Sequence, residues 1–574
     1  MGKILTYIKP YVPKMILGLI IKFTGTIMDL LLPWILSYTI DEIVPQKNVT
    51  LVFIWGFIMI LCAVAALVTN IIANRMASKV ARDTTQAIRH DLFEKISYLS
   101  CRQIDEFTIP SLESRLTSDT YNIHQMVGMM QRLGVRAPIL LLGGIIITLM
   151  LEPVLSLIMI LTLPFIGLLV YLVSKKSIPL YTSLQRSVDV LVRTVRENIT
   201  GIRVIKALSK TAYEKNRFFE VNSNVVKNEK KAAVTMALTN PVMNLLLNLG
   251  LTLVIVAGAW RINAGLTQSG EIIAFLTYFT LISNAMLSVT RMFVIYSKGS
   301  ASAERIRQVL ETPEDLALGP KDHVDNGYHV TFENVSFKYH KGESSKSCIE
   351  DISFALKKGE TLGIIGATGS GKSTIIRLLM RLYDPDKGRI RISGDDVRCI
   401  PEKELHTMFG TVFQNDFLYA DTIESNIAFG REPGEGQLEL AISCAQAGEF
   451  IDNLPEGRGH LLTMKGSNLS GGQKQRVLIS RALAAKPEIL ILDDSSSALD
   501  YKTDSLLRKA LADSFKDTTT IIIAQRTSSI MHADHILILE DGKALGYGTH
   551  EELLGSCDVY REICTSQMGG GAIA

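Results

Sequence analysis

The chain has 574 residues, is 47% hydrophobic and only 20% charged, and has a mean hydropathy of +0.23. As a soft prior the length allows about four globular units of roughly 150 residues, but the composition excludes a disordered chain and argues against a wholly soluble one. Lys and Arg number 60 against 57 Asp and Glu, a net charge of +3, which lacks the concentrated basic excess of a nucleic-acid binder.

The apolar runs occupy residues 1 to about 300. The stretch Lys3-Ile-Leu-Thr-Tyr-Ile-Lys-Pro-Tyr is amphipathic and is expected to lie in a membrane interface. Six spans are predicted near 15–40, 51–74, 134–152, 154–174, 236–262 and 270–296. At about 1.5 Å per residue they suit a hydrocarbon core of about 30 Å, with the two short central spans meeting at Glu152-Pro153. The first run is too long for the apolar region of a signal peptide and no small-residue cleavage site follows it, so no cleavable leader is expected. With only about 14 residues before the first span, a fused peptidase is not expected either.

Lys22 and Asp29 fall inside the first span, seven residues apart and so on nearly one helix face. Ionisable residues at such depth are candidates to line a polar cavity or touch substrate. The alternative is a Lys22 that snorkels and an Asp29 paired with a neighbouring helix.

Segment 75–133 carries eight basic residues, from Arg75 to Arg132, and segment 175–235 carries thirteen, from Lys175 to Lys231. The connections 41–50, 152–153 and 263–269 hold one, Lys47. The positive-inside rule therefore places both long segments and both termini in the cytoplasm. Apolar residues recur in these segments at three- and four-residue intervals, so spans two to five are expected to continue as helical stalks. Their far ends, near 105–119 and 207–220, are the expected docking points on the soluble half. Thr312-Pro313-Glu314-Asp315 marks the boundary.

Beyond it the pattern is that of a soluble α/β domain. Thr361-Leu-Gly-Ile-Ile reads as a buried strand, followed by Gly366-Ala-Thr368-Gly369-Ser370-Gly371-Lys372-Ser373-Thr374 and an apolar helix from Ile375. This is G-x-x-x-x-G-K-[ST] in its strand–loop–helix setting. The glycines let backbone N–H groups turn around phosphate, and the helix N-terminus adds partial positive charge. Lys372 is placed for the β- and γ-phosphates and the Ser373 hydroxyl for Mg²⁺. Leu469-Ser470-Gly471-Gly472-Gln473 then leads into another helix, and the apolar strand Ile489-Leu-Ile-Leu-Asp493 ends in an acid suited to Mg²⁺. The seven cysteines (Cys62, Cys101, Cys348, Cys399, Cys444, Cys557, Cys564) are scattered, with no C-x-x-C pair. They suggest neither a disulfide framework nor a zinc site, and a reduced cytosolic face.

The order phosphate loop, LSGGQ, acidic strand and Ser497-Ala-Leu-Asp500 resembles an ABC-transporter nucleotide-binding domain over about 330–565. The first half resembles the exporter-type ABC transmembrane domain. There Ser114-Arg-Leu-Thr-Ser-Asp119 and Glu197-Asn-Ile-Thr-Gly-Ile-Arg-Val-Ile-Lys-Ala stand where family members carry intracellular-loop motifs. The fold class implied is a membrane all-α six-helix transmembrane domain followed by a soluble α/β P-loop nucleotide-binding domain. The boundaries are 1–312 for the first, 313–328 for a linker, 329–566 for the second and 567–574 for a flexible tail. The resemblance also implies ATP and Mg²⁺ as cofactors, with ATP sandwiched between the phosphate loop of one subunit and the LSGGQ of another. Tyr339 matches the aromatic that stacks on adenine. Gln414 matches the Q-loop residue that contacts Mg²⁺ and senses the membrane helices. Ser470 and Gly472 would face the partner's γ-phosphate, and Asp500 matches the D-loop acid.

Two positions depart from the family pattern. Asp494 stands where the general base is usually Glu, so its carboxylate is set back by about 1.5 Å, one C–C bond. Misplacement on that scale can cost about 10²-fold in rate. Gln525, in Ala524-Gln-Arg526, stands where the family has a His that contacts the γ-phosphate, and Gln carries neither positive charge nor a transferable proton. Met464 also occupies the place before LSGGQ where exporters often have Glu. Both catalytic departures fall on one composite site while LSGGQ is intact. The chain is therefore expected to be half of a heterodimeric bacterial multidrug exporter in the cytoplasmic membrane. Its partner would be a second half-transporter that keeps the Glu and the His. The substrate would be a small hydrophobic or amphipathic compound, met in the membrane lipid. A dedicated lipid or peptide exporter, an importer on the same fold, a slow homodimer and a nucleotide-gated regulatory subunit are the alternatives.

Overall fold

A chain crossing hydrocarbon must satisfy its backbone hydrogen bonds internally, and the first half of this protein does so as long helices. The computed structural model describes residues 2–237, 239–339, 347–495 and 497–568. Two compact units form, one from Met1–Ser97 with Pro110–Thr312 and one from Tyr98–Ile109 with Pro313–Ala574. Most of the predicted tail, 569–574, lies outside the described residues, and 567–568 complete a helix.

The first unit opens with α1 (Gly2–Ile8), α2 (Val12–Tyr38) and α3 (Val49–Ser97). The short α4 (Cys101–Phe107) belongs to the second unit, and α5 (Ile109–Ser114) begins the return. Then follow α6 (Thr120–Leu151), α7 (Pro153–Thr200), α8 (Ile202–Ala207), α9 (Thr211–Ala237), α10 (Thr239–Asn263) and α11 (Ser269–Leu310). Among the described residues six segments, built on α2, α3, α6, α7, α10 and α11, are long and apolar enough to cross a bilayer. Helices α3 and α7 hold 49 and 48 residues. At about 1.5 Å per residue each is more than twice a ~30 Å hydrocarbon core, so the stalks expected of spans two and four are unbroken continuations of those spans.

Phe275, Tyr278, Phe279 and Ile282 of α11 are buried against Leu30 of α2, Leu140 of α6, Leu155 and Met159 of α7 and Val254 of α10. Small residues permit this closeness: a Cβ on Gly144 of α6 would stand 2.7 Å from Ile282 Cγ1. Asp29 accepts from Arg136 Nη2 of α6 at 3.1 Å, which is the neighbouring-helix pairing of the two readings. Lys22 does not snorkel. It is 3% exposed and its Nζ donates to Asn74 Oδ1 of α3 at 3.1 Å.

Glu152, the residue between α6 and α7, is more than a turn. Its buried Oε1 accepts from Arg261 Nη2 at 2.7 Å and Nε at 3.1 Å, and from the Thr267 hydroxyl. Beside it Gly270 N donates to Asp41 Oδ1 at 2.6 Å.

Of the docking end expected near 105–119, residues 105–109 fall in the second unit. The segment that joins the second unit is Tyr98–Ile109. Ser100 starts α4 with a reciprocal capping box to Gln103, and Thr108, at φ 65°, ends it. Most of 109–119 therefore belongs to the returning helix. Helix α7 is capped by Gly201, the short α8 follows over Ile202–Ala207, and most of 207–220 opens α9.

In the second unit, β1 (Val330–Phe337) and β2 (Ile349–Leu356) precede β3 (Thr361–Gly366), α12 (Lys372–Leu379), β4 (Lys387–Ile392) and β5 (Asp395–Asp396). Next come α13 (Glu402–Thr407), β6 (Phe409–Val412), α14 (Ile423–Ala428), α15 (Glu435–Cys444) and α16 (Gly448–Asp452). Then α17 (Gly471–Leu483), β7 (Ile489–Asp493), α18 (Tyr501–Ser514), β8 (Thr519–Ile523), β9 (His535–Glu540), β10 (Lys543–Gly548), α19 (His550–Ser556) and α20 (Asp558–Met568) close the chain. One sheet is antiparallel, in the order β2-β1-β4-β5. The other runs β10-β9-β3-β8-β7-β6 and is parallel except for edge strand β10. Ile364, Ile491 and Ile521 are fully buried at its centre.

Glu152→Ala would leave the Arg261 guanidinium, 17% exposed, without its carboxylate. Removing one partner of a buried pair costs about 3–5 kcal/mol, so thermal unfolding of the purified variant should start clearly lower, with Glu152→Gln intermediate. Equal midpoints for Ala and wild type would show that the pair contributes no stability.

Candidate nucleotide site

In open parallel sheets, ligands gather at the carboxyl ends of the strands. Here the register pairs Ile364 with Ile523 and Asp493 with Ile523, so β3, β7 and β8 end together. The loop after β3 turns into α12 at Gly371, whose φ of 97° is left-handed and whose missing Cβ would stand 2.6 Å from Ile349 Cγ2. Only glycine meets both demands without strain. Gly369, at φ 86°, has open space beside it. The Ser370 hydroxyl oxygen is buried without a hydrogen-bond partner.

A cavity of about 180 Å³ lies over this loop. Thr368, Gly369, Gly371, Lys372, Ser373 and Thr374 line it with Gln414, Asp493, Asp494 and Gln525. Gly366 closes β3, and Ser370 is buried beneath the loop. Lys372 Nζ donates to Gly366 O and Ala367 O, each at 2.8 Å. Ser373 hydrogen-bonds the Asp493 carboxylate. Gln525 Nε2 donates to Asp494 Oδ2 at 3.0 Å, and Gln414 hydrogen-bonds the same carboxylate. Burial raises the Asp493 carboxyl above its ordinary range, with Ser373 opposing the shift. Burial likewise raises Asp494, against the pull of Lys372. The same desolvation lowers Lys372, although Asp493 and Asp494 oppose it.

Tyr339 stands beside the loop. Its hydroxyl is 3.3 Å from Thr374 Oγ1 and accepts from Arg377 Nη1 at 3.0 Å, and its ring meets Tyr383 edge to face at 5.2 Å. The LSGGQ residues are not brought into the cavity. Ser470 and Gln473 form a reciprocal capping box at the start of α17, with Gly471 and Gly472 in its first turn. Asp500 caps α18, accepting from Thr503 N at 2.9 Å. Ser470, Gly471 and Asp500 are exposed, and so is Met464.

Sequence reasoning missed Cys348 and Ile523, which also line the cavity. It missed a second cavity of about 410 Å³ as well, in which Cys101, Ile104 and Asp105 of α4 meet Ser373, Gln414, Asn415 and Asp493. Tyr383 donates to Asp105 Oδ2 at 2.6 Å and holds α4 there. The Q-loop position of Gln414 and the docking end expected from 105 onward were the signals for this second cavity.

Residues 15–286 match the ABC transporter transmembrane region and 349–497 the ABC transporter nucleotide-binding family. An ABC transporter ATP-binding protein of Bacillus subtilis, YfiB, is 36% identical over 99% of both chains. The chain belongs to the ABC transporter family. A putative ABC transporter ATP-binding protein of Streptococcus pneumoniae, exp8, is 32% identical over 99% of this chain and 97% of its own length. A bacterial Atm1-family ABC exporter solved with ATP bound superposes with a TM-score of 0.81 at 25% identity, covering 98% of this chain and 99% of that one.

This ABC transporter is accordingly a multi-pass membrane protein of exporter fold that binds ATP and couples its hydrolysis to transport. The cavity fits the nucleotide. Its open glycine loop, the buried Ser370 hydroxyl and the Lys372 ammonium form a phosphate cradle. Ser373, Gln414 and Asp493 offer the hard oxygen donors that suit Mg²⁺.

An acid raised by burial stabilises the folded state fully only below its unfolded pKa, and that contribution is lost as pH rises through the folded value. Asp493 and Asp494 therefore weaken the nucleotide-free protein as pH climbs out of the acidic range. Asp493→Asn should raise the nucleotide-free thermal midpoint at neutral pH while lowering Mg²⁺-dependent ATP affinity. A lower midpoint would contradict the desolvation argument.

Proposed function

We propose that this chain is one half of a heterodimeric exporter in the cytoplasmic membrane of a bacterium, with the soluble unit and both termini cytoplasmic. The basic residues concentrated in the long loops support that orientation. The transported compounds would be small, amphipathic or hydrophobic, as a multidrug exporter takes. Tyr339 would stack on adenine, residues 366–374 would hold the phosphates, and Ser373, Gln414 and Asp493 would hold Mg²⁺. When bound, Mg²⁺ neutralises charge developing on the phosphates. This chain's Ser470, Gly471, Gly472 and Gln473, with Asp500, would complete the partner's site.

The single observation that carries the heterodimer reading is the Gln525–Asp494 hydrogen bond of 3.0 Å. The position of the water-activating base is occupied by a shortened carboxylate, and the position of the switch His by an uncharged amide bonded to that carboxylate. Both changes burden one composite site. The intact capping box at Ser470 and Gln473 keeps the other surface ready for a partner. Closure on ATP would travel to the spans through α4, which Tyr383 ties down in this unit. Such coupling requires ATP to favour the closed state over the open one.

The lone chain in lipid should hydrolyse ATP poorly, and co-purification with a partner half that keeps Glu and His should restore turnover. Asp494→Glu combined with Gln525→His should raise the lone chain's rate by about 10²-fold. Ordinary turnover by the unaltered lone chain would defeat the heterodimer reading. Vanadate-sensitive vectorial transport by the pair would separate a pump from a regulatory subunit.

A further inference from the structure

Charge is unbalanced where α2, α3 and α6 meet at the cytoplasmic ends of the apolar segments. Lys22 is 3% exposed, and among the described residues the one hydrogen bond of its ammonium goes to a neutral amide, Asn74 Oδ1. Among the described residues no carboxylate lies within ion-pair distance of it. The charged groups that act on it are Arg136, Asp29 and Arg132. Of these only Asp29 is negative, and its carboxylate is engaged by Arg136 at 3.1 Å. Arg132 stands one turn before Arg136 on α6 and gives its Nε to the helix carbonyl of Gly128 at 3.1 Å. Three cations thus share one anion. Two polar atoms in the same region are buried without partners: Asn70 Oδ1, one turn before Asn74, and Arg136 Nε. The rest of Arg136 is open, its side chain being 41% exposed.

A cation set in apolar surroundings is expensive unless a counter-charge meets it, and an ionisable residue at that depth marks a substrate path by default. The attraction between such a group and an entering opposite charge is strong because little water screens it. A cationic amphiphile would meet net repulsion here, and a neutral one would gain nothing from the surplus charge. We propose that this cluster recognises the anionic headgroup of an amphiphile, with Arg136 and Arg132 making the contact and Lys22 supplying the charge behind them. The apolar tail lies along the neighbouring spans. Asp29 then holds Arg136 in place and is exchanged for the headgroup when the ligand arrives. The inference rests on the export reading, and it names the substrate as an anionic amphiphile.

The test uses the full chain in phosphatidylcholine nanodiscs, without ATP, so that its outcome is separate from the hydrolysis argument. Two fluorescent probes share a dodecyl tail, one ending in sulfate and one in trimethylammonium. The sulfate probe should bind about 10-fold more tightly, and Lys22→Met or Arg136→Gln should each remove about 10-fold of that preference. Lys22→Arg should retain it. ATP binding by the same preparations shows that the variants are folded. Equal affinity for the two probes, or an unchanged preference in both charge-removing variants that still bind ATP, overturns the proposal. Replacing phosphatidylcholine with phosphatidylglycerol identifies the source of the ligand. Displacement of the sulfate probe assigns the site to a lipid headgroup, and retention assigns it to a transported amphiphile. Either result keeps the anionic site.

Discussion

The parallel pairing of β3 with β8 and β9 is the constraint on which the nucleotide chemistry depends. Parallel strands buried on both faces leave their carboxyl ends as the one place where backbone can open toward a ligand. With Ile364 beside Ile523 and Asp493 beside Ile523, three strand ends reach the same level. The phosphate loop, the Asp493 carboxylate and the Gln525 amide then converge although they are far apart in sequence. None of them is placed by its own local structure. Ile364, Ile491 and Ile521, all fully buried, hold the strands in that register, and a slip of one residue would turn each functional side chain to the opposite face.

The membrane half is governed by a different constraint, the absence of water. Its helices close their own backbone bonds, and its charged groups must find each other. Glu152 does so with Arg261 and Thr267, and Asp29 with Arg136. Tyr278, wholly buried, places its hydroxyl on the Leu30 carbonyl at 2.5 Å. Lys22 differs from these charged groups in that its partner is neutral.

Much of this was legible in the sequence because the signals were either long or strongly patterned. A run of about 20 apolar residues has few structural meanings, and G-x-x-x-x-G-K-[ST] between strand and helix has essentially one. The exits from the long helices were not legible. Periodicity continues through residues 98–119, and only the Ser100 cap and the left-handed Thr108 show that α4 is a separate helix. The partners of Lys22 and Asp29 were illegible for a related reason. Asn74 and Arg136 lie 52 and 107 residues away from them, and helix-face arithmetic says nothing about which helix lies opposite. Cys348 reaches the nucleotide region only through tertiary packing, so no local pattern announces it.

On the proposed reading the two departures at the site are physically linked. Asp494 follows directly on β7 and sits at φ 53°, a left-handed position where Asp is among the better-tolerated residues. Its amide donates to Ile523 O at 2.9 Å, and its carbonyl accepts from the Ser497 hydroxyl at 2.9 Å. The backbone is therefore held from both sides and cannot advance to make up for the lost methylene. A carboxylate left short, and raised by burial, needs a hydrogen-bond donor close at hand. Gln525, two residues past the end of β8, supplies one at 3.0 Å without adding charge. Neutral Gln suits this short acid as a charged His suits a base that must reach water. The pair is a self-contained arrangement, and on the proposed reading that is why both substitutions sit on one chain, with the power stroke left to its partner's site.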